Sequence, residues 1–209
     1  MDKEKNVINY YVLCNKLKNV IRKGWIDWKV ERDRVESVAE HVYGVLQLAI
    51  AMYSEYDYDI DIFKVIFMLS IHELEETIIG DLTLFEISES EKNNIGHNAI
   101  EKILSPLLKG EEIKALIYEF DERKTKEAIF AYHCDKLECD LQCKIYDEEN
   151  CVDLNNQNDN KTYYDNRVQE LLKDDSTWSD MWLEFDKPKF YDDKNFLSVL
   201  EYAKNNEIK

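Results

Sequence analysis

With 209 residues the chain is long enough for one sizeable domain, and its 5 Gly and 2 Pro are too few to serve the turns of a many-stranded β protein. Its 44 acidic against 27 basic residues give a formal charge of −17, which argues against nucleic-acid polymers and anionic membranes as partners. No run of apolar residues approaches a membrane span and the first residues carry no signal-peptide core, so the sequence predicts a soluble, cytoplasmic protein.

Taken in order, the spacing of Tyr10, Leu13, Leu17, Val20 and Ile21 predicts a helix over 7–23, stopped by Gly24 as a C-cap. After a loop with two tryptophans, Ser37 and Glu40 have the spacing of a capping box. Val38, Val42, Val45, Leu46, Ala49 and Ile50 carry that helix to about Tyr53. The segment Ile62–Asp81 reads as one further helix ended by Gly80, its stripe starting with Ile62, Val65, Ile66 and Leu69. A helix over 88–108 follows, then one from Gly110 with Ile113, Leu116, Ile117 and Phe120. A long helix from about Thr125 to about Glu149 has two apolar faces. Ala128, Ala131, Tyr132, Asp135, Cys139, Cys143 and Tyr146 form one, and Phe130, Cys134, Leu137, Leu141 and Ile145 the other, which predicts packing on two sides.

Residues 153–161 are polar and aperiodic and read as a surface loop. Tyr164 to Leu172, Trp178 to Phe185 and Phe196 to Ala203 suggest three shorter helices. The five cysteines (Cys14, Cys134, Cys139, Cys143, Cys151) lack CxxC knuckles, and free thiols are expected. The whole predicts an all-α bundle of about six core helices within about 10–150, with 151–209 as a helical extension of the same domain.

Four residues break the apolar pattern. His41 lies among valines on its helix, His72 and Glu73 continue the stripe of theirs, and Asp135 sits mid-face on the long helix. Uncompensated charge is costly to bury, so such groups need partners or a metal. Imidazole with carboxylate is a ligand set for a divalent ion such as Mn, Fe, Co, Ni, Zn or Mg, and adjacent residues on a helix are only about 100° apart. Each also has a plainer reading. A core histidine can be hydrogen-bonded structure, and a His-Glu pair at a helix end can be solvated. One metal site would account for all of them together.

These segments, Glu36-Ser-Val-Ala-Glu-His41, His72-Glu73 with Glu75-Glu76 and Gly80-Asp81, and His133-Cys-Asp135-Lys-Leu-Glu138, resemble the HD-domain superfamily of metal-dependent phosphohydrolases. The likeness is greatest to the branch of small 5′-deoxynucleotidases. It implies that His41, His72, Glu73 and Asp135 hold one divalent metal ion, with Glu73 standing where the family has Asp. It implies Glu76 as the catalytic acid and Asp81 as the Asp of the Gly-Asp pair, and Glu76, one turn from His72, could also orient the water or shuttle a proton. Arg22 would contact the substrate phosphate, with Trp25 the nearest aromatic for the sugar and Glu119 the Glu ahead of the long helix. A homodimer is implied by the likeness alone. Glu75 is expected on a solvated face, and His97 outside the site. The expected activity is hydrolysis of (deoxy)nucleoside 5′-monophosphates. Another phosphorylated metabolite or a nucleoside polyphosphate as substrate, and a non-catalytic binding module, stay open at this point.

Overall fold

The computed structural model describes residues 2–83, 85–173 and 176–209. Among them are eleven α-helices, three short 3₁₀ segments, one isolated antiparallel bridge and no strand, so the chain is all-α. It groups into two compact units. The first runs to Lys23 and resumes over Glu36–Tyr132; the second comprises Gly24–Val35 and His133–Lys209.

In the first unit, α1 (Lys3–Cys14) is shorter than its apolar spacing suggests. Asn15–Asn19 tighten into a 3₁₀ turn, and the chain then extends. The backbone explains the stop. Ile21 bridges to Ser37, the Arg22 N–H donates to the Glu36 carbonyl at 3.1 Å, and the Val38 N–H donates to that of Val20 at 2.8 Å. β-branched Val20 and Ile21 suit such an extended neck. Gly24 caps nothing; it lies inside the short α2 (Lys23–Asp27). The capping box is present: Ser37 Oγ accepts from the Glu40 N–H, and the Glu40 carboxylate accepts from the Ser37 N–H at 2.9 Å. From there α3 (Val38–Glu55) buries Val38, His41, Val45, Ala49 and Met52 on one stripe.

The segment 62–81 is not one helix. α4 (Ile62–Leu69) ends at Ser70, and α5 (Glu76–Ile79) begins only after a series of tighter turns. Through them Ile71, Leu74, Glu76 and Thr77 each donate to the carbonyl three residues back. Side chains compete for the carbonyls a continuous helix would use. Ser70 Oγ donates to the Phe67 carbonyl at 2.7 Å, His72 Nδ1 lies 2.7 Å from that of Leu69, and Thr77 Oγ1 donates to that of Leu74 at 2.9 Å. Gly80 closes α5 at φ 74°, a backbone conformation that other residues rarely adopt.

α6 (Glu89–Leu104) opens on a second capping box, Ser88 with Glu91, and α7 (Gly110–Glu122) ends at Arg123 in the left-handed region. Ile71 and Leu74 from the tight turns pack with Ile100, Ile103, Leu104 and Ile117, flanked by Tyr10 and Leu13 of α1. This cluster holds the tight turns from behind, which fixes the direction of the polar residues between them.

α8 (Lys126–Glu148) contributes residues to both units. Its buried residues, among them Ala128, Phe130, Ala131, Cys134, Leu137, Asp140, Cys143 and Tyr146, run all round the helix, as its two apolar faces predict. The second unit adds α9 (Asn166–Leu171), α10 (Trp178–Asp186) and α11 (Lys194–Asn205). Its core is aromatic: Trp28 packs on Trp178, Trp182 and Tyr163, with ring centroids 5.6 to 6.1 Å apart. Each such pair adds roughly 0.5–1.5 kcal/mol beyond area burial.

The polar segment 153–161 departs from expectation. Gln157 and Asn160 are each only 2 % exposed. Gln157 Nε2 donates to the Trp28 carbonyl at 3.1 Å, and Asn160 Nδ2 donates to Gln157 Oε1 at 2.9 Å. Satisfied amides can be core. The five cysteines are free, and burial pushes the Cys134 and Cys143 thiols well up. No helix among the described residues is long and apolar enough to cross a membrane.

Candidate metal centre

The first unit brings three of the expected ligands together. His41 is carried by the buried stripe of α3 and is fully buried. His72 and Glu73 come from the tight turns between α4 and α5. Glu73 Oε1 lies 3.7 Å from His41 Nε2 and 3.7 Å from His72 Nε2. These separations are too long for hydrogen bonds, and the three ligand atoms lie within 4.8 Å of one another, as donors around one ion do. The far side of His72 supports this use. Its Nδ1 sits on the Leu69 carbonyl at 2.7 Å, which places the proton there and leaves Nε2 as the lone-pair nitrogen. Phe120 of α7 packs against the His72 ring at 5.3 Å and limits its rotation.

The expected substrate and acid-base residues lie around the same carboxylate. Arg22, fixed by the backbone neck, directs Nη1 to Glu73 Oε1 at 3.4 Å and Nε toward Asp81 Oδ2 at 3.9 Å. Asp81 Oδ2 also accepts the Lys23 backbone N–H at 2.7 Å, so the residue after the Gly80 turn orients the Arg22 segment. Glu76, the first residue of α5, is 1 % exposed; its Oε1 accepts from Lys92 Nζ at 3.0 Å. Burial, with the Glu73 and Asp81 carboxylates, pushes the Glu76 carboxyl well above its usual range against the pull of Lys92 and Arg22. Glu75 does not face solvent as expected. Its Oε2 is buried without a hydrogen-bond partner among the described residues, and burial together with Glu73 pushes its carboxyl up to about 8. The chain at Gly96 makes room for it, since a Cβ there would come within 3.3 Å of Glu75 Cγ.

In this cluster acidic side chains outnumber the cations Arg22 and Lys92, and burial beside other carboxylates raises the pKa of Glu75 and Glu76. A divalent cation would supply the missing positive charge. Donor type, convergence and charge all fit one.

Other expected positions fall elsewhere. Asp135 is on α8 within the second unit, buried, with Lys136 Nζ 2.8 Å from its Oδ2. Trp25 is also in the second unit, 4 % exposed, packed edge-on to Tyr146 at 5.3 Å and to Trp178 at 6.0 Å. An indole so enclosed is core and offers no free face to a sugar. Glu119 accepts from Lys64 Nζ at 2.7 Å and Thr125 Oγ1 at 2.5 Å, which ties it to α4 and to the start of α8. His97 pairs with Asp121 at 2.7 Å and stacks on Tyr118. Lys92 is absent from the expected set. A lysine in the first turns of a polar helix gives no signal in the sequence that it turns inward.

The chain is similar to known proteins along most of its length. The family model described as HD domain matches residues 14–175. The 5′-deoxynucleotidase HDDC2 of Dictyostelium discoideum is 33% identical over 152 residues, covering 69% of this chain and 79% of that protein. The 5′-deoxynucleotidase hdd1 of Schizosaccharomyces pombe is 30% identical over 156 residues, covering 70% and 75% respectively. A solved structure from Magnetospirillum magnetotacticum, titled a predicted metal-dependent phosphohydrolase, matches with a TM-score of 0.66 at 20% identity, over 97% of this chain and 91% of that one; this likeness bears on the fold.

Proposed function

The chain belongs to the HD-domain family, and from that premise we propose that it is a metal-dependent phosphohydrolase that cleaves (deoxy)nucleoside 5′-monophosphates to nucleoside and phosphate. The observation that carries the reading is the convergence of His41, His72 and Glu73 beside Arg22. The names of the relatives supply the substrate class.

The proposed ligands are His41, His72, Glu73 and Asp135. The first three are supported by their mutual distances, and Asp135 by the motif likeness and its own burial. These residues would hold a divalent ion, which would supply a water of lowered pKa and Lewis-acid stabilisation of the phosphoryl oxygens. Its identity among Mn, Co, Fe, Ni, Zn and Mg turns partly on Glu73, one methylene longer than the family's Asp.

The chain's own groups do the rest. Hydrolysis needs a water oxygen to bond to phosphorus, the bond from phosphorus to O5′ to break, and a proton to reach O5′. Arg22 has a planar fork suited to two phosphoryl oxygens, and Asp81 aims it. Glu76 takes the proton from the water and returns it to O5′. Burial with Glu73 and Asp81 raises its pKa, and a cation offsetting Glu73 would favour the ionised form that acts as a base. The family likeness supports a homodimer as the working form, which light scattering on the purified protein checks.

A phosphate-release screen of nucleoside monophosphates against several divalent ions tests the reading. Release from 5′-monophosphates that depends on added ion is expected. Less than about a tenth of an equivalent of bound metal, with no release after Mn²⁺ or Co²⁺ is added, would overturn it. Asp135→Ala is expected to lose metal and phosphate release together.

A further inference from the structure

Glu76 is one of the most enclosed carboxylates in the protein, and its two oxygens are treated differently. Oε1 accepts from Lys92 Nζ at 3.0 Å, while Oε2 is buried with no hydrogen-bond partner among the described residues. Lys92 comes from α6, where its backbone N–H donates to the Ser88 carbonyl at 2.9 Å within the turn closed by the Ser88–Glu91 capping box. Its stem therefore starts from a rigid point. Its side chain is 23 % exposed and that of Glu76 is fully buried, so the ammonium reaches inward to a carboxylate that solvent does not.

A carboxylate on a short helix can rotate about its last torsion, which is broad and soft. One charge-assisted bond to a fixed ammonium removes that freedom and leaves the second oxygen with a defined direction.

We propose that Lys92 is a positioning residue for hydrolysis: by holding Oε1 it fixes the Glu76 carboxylate so that Oε2 faces the attacking water. The proposal rests on the reading that Glu76 handles that water's proton. As the water oxygen bonds to phosphorus, its proton goes to Oε2. As the bond from phosphorus to O5′ breaks, that proton passes to O5′. Lys92 keeps its own proton throughout and contributes orientation alone.

The test uses Lys92→Gln, Lys92→Arg, Glu76→Gln and the Lys92→Gln/Glu76→Gln double variant. For each, kcat, KM, bound metal and the unfolding midpoint are measured. Lys92→Gln is expected to lower kcat by about 10- to 100-fold, with KM within about threefold and metal content unchanged. Lys92→Arg is expected to recover to within about fivefold of the parent, because it restores a charged donor. In the Glu76→Gln background, Lys92→Gln should change the residual kcat less than about twofold. A full loss in that background, a rise in KM at constant kcat, or loss of metal would overturn the proposal. If Lys92→Gln loses cooperative unfolding, Lys92→Met, which keeps the apolar stem, takes its place under the same criteria. If Glu76→Gln retains full kcat, the proton role of Glu76 fails, and the proposal with it. If Glu76→Gln is inactive and Lys92→Gln is not, only the Lys92 proposal fails.

Discussion

Two groups of buried carboxylates among the described residues differ in what surrounds them. In the first unit, Glu73, Glu75, Glu76 and Asp81 meet two imidazoles, Arg22 and Lys92. In the second, Asp140 and Asp186 are both buried, and Asp140 has one oxygen without a hydrogen-bond partner among the described residues. Lys189 Nζ lies 2.7 Å from Asp186, and no imidazole enters either residue's described contacts. Burial pushes the Asp140 carboxyl well up, with Asp186 adding to it and Lys189 and Lys136 opposing. Desolvation is therefore common to both places and identifies neither as a site. What separates them is donor chemistry. The first brings two imidazole nitrogens and a carboxylate oxygen to one point, and the second holds carboxyl groups and lysines alone.

Substitution can break this contrast. His72→Ala removes a proposed ligand and should lower phosphate release by about three orders of magnitude, with metal lost in elemental analysis. Asp140→Asn, equally buried, should leave release within about threefold. Comparable losses in both would erase the distinction. Arg22→Lys keeps the charge and loses the fork, so KM for a 5′-monophosphate should rise by about tenfold with bound metal unchanged.

The smallest effect sharpens the second place. Asp140 has a folded-state pKa above its unfolded value, so below about pH 4 both states hold the proton. As pH rises, the unfolded chain ionises while the folded protein keeps its proton, and stability falls until the folded group titrates. Asp140→Asn removes that penalty. It should raise the unfolding midpoint by a few degrees at pH 8, about 1–2 kcal/mol, and by little at pH 4. An equal shift at both pH values would show that Asp140 does not carry the linkage.

Much of this was legible in the sequence, for definite reasons. Ser37 and Glu40 announce the start of α3 because a capping box is a local arrangement of two side chains and two N–H groups. His41 shows itself because it occupies a position where the stripe demands an aliphatic. The break at Ser70–Glu75 is hidden because hydrophobic spacing does not register side chains that take up backbone carbonyls. Glu75, Lys92, Gln157 and Asn160 read as surface by residue type, and their burial depends on partners distant in sequence or on a neighbour as small as Gly96. Trp25 follows Arg22 closely in sequence, but its ring has joined Tyr146 and Trp178.

The neck formed by Ile21 and Ser37 has a consequence for the order of folding. Arg22 to Glu36 and Val20 to Val38 are bonded across it, and the residues between, Gly24–Val35, belong to the other unit. Pinching off an excursion of this length costs roughly 3 kcal/mol of closure entropy, a term that grows only with the logarithm of length. The first unit can thus set the position of its phosphate-gripping arginine before the excursion has found its own core. Slow amide exchange at Arg22 and Val38, persisting when Trp28 is truncated, would be the mark of an arginine placed by topology rather than by its surroundings.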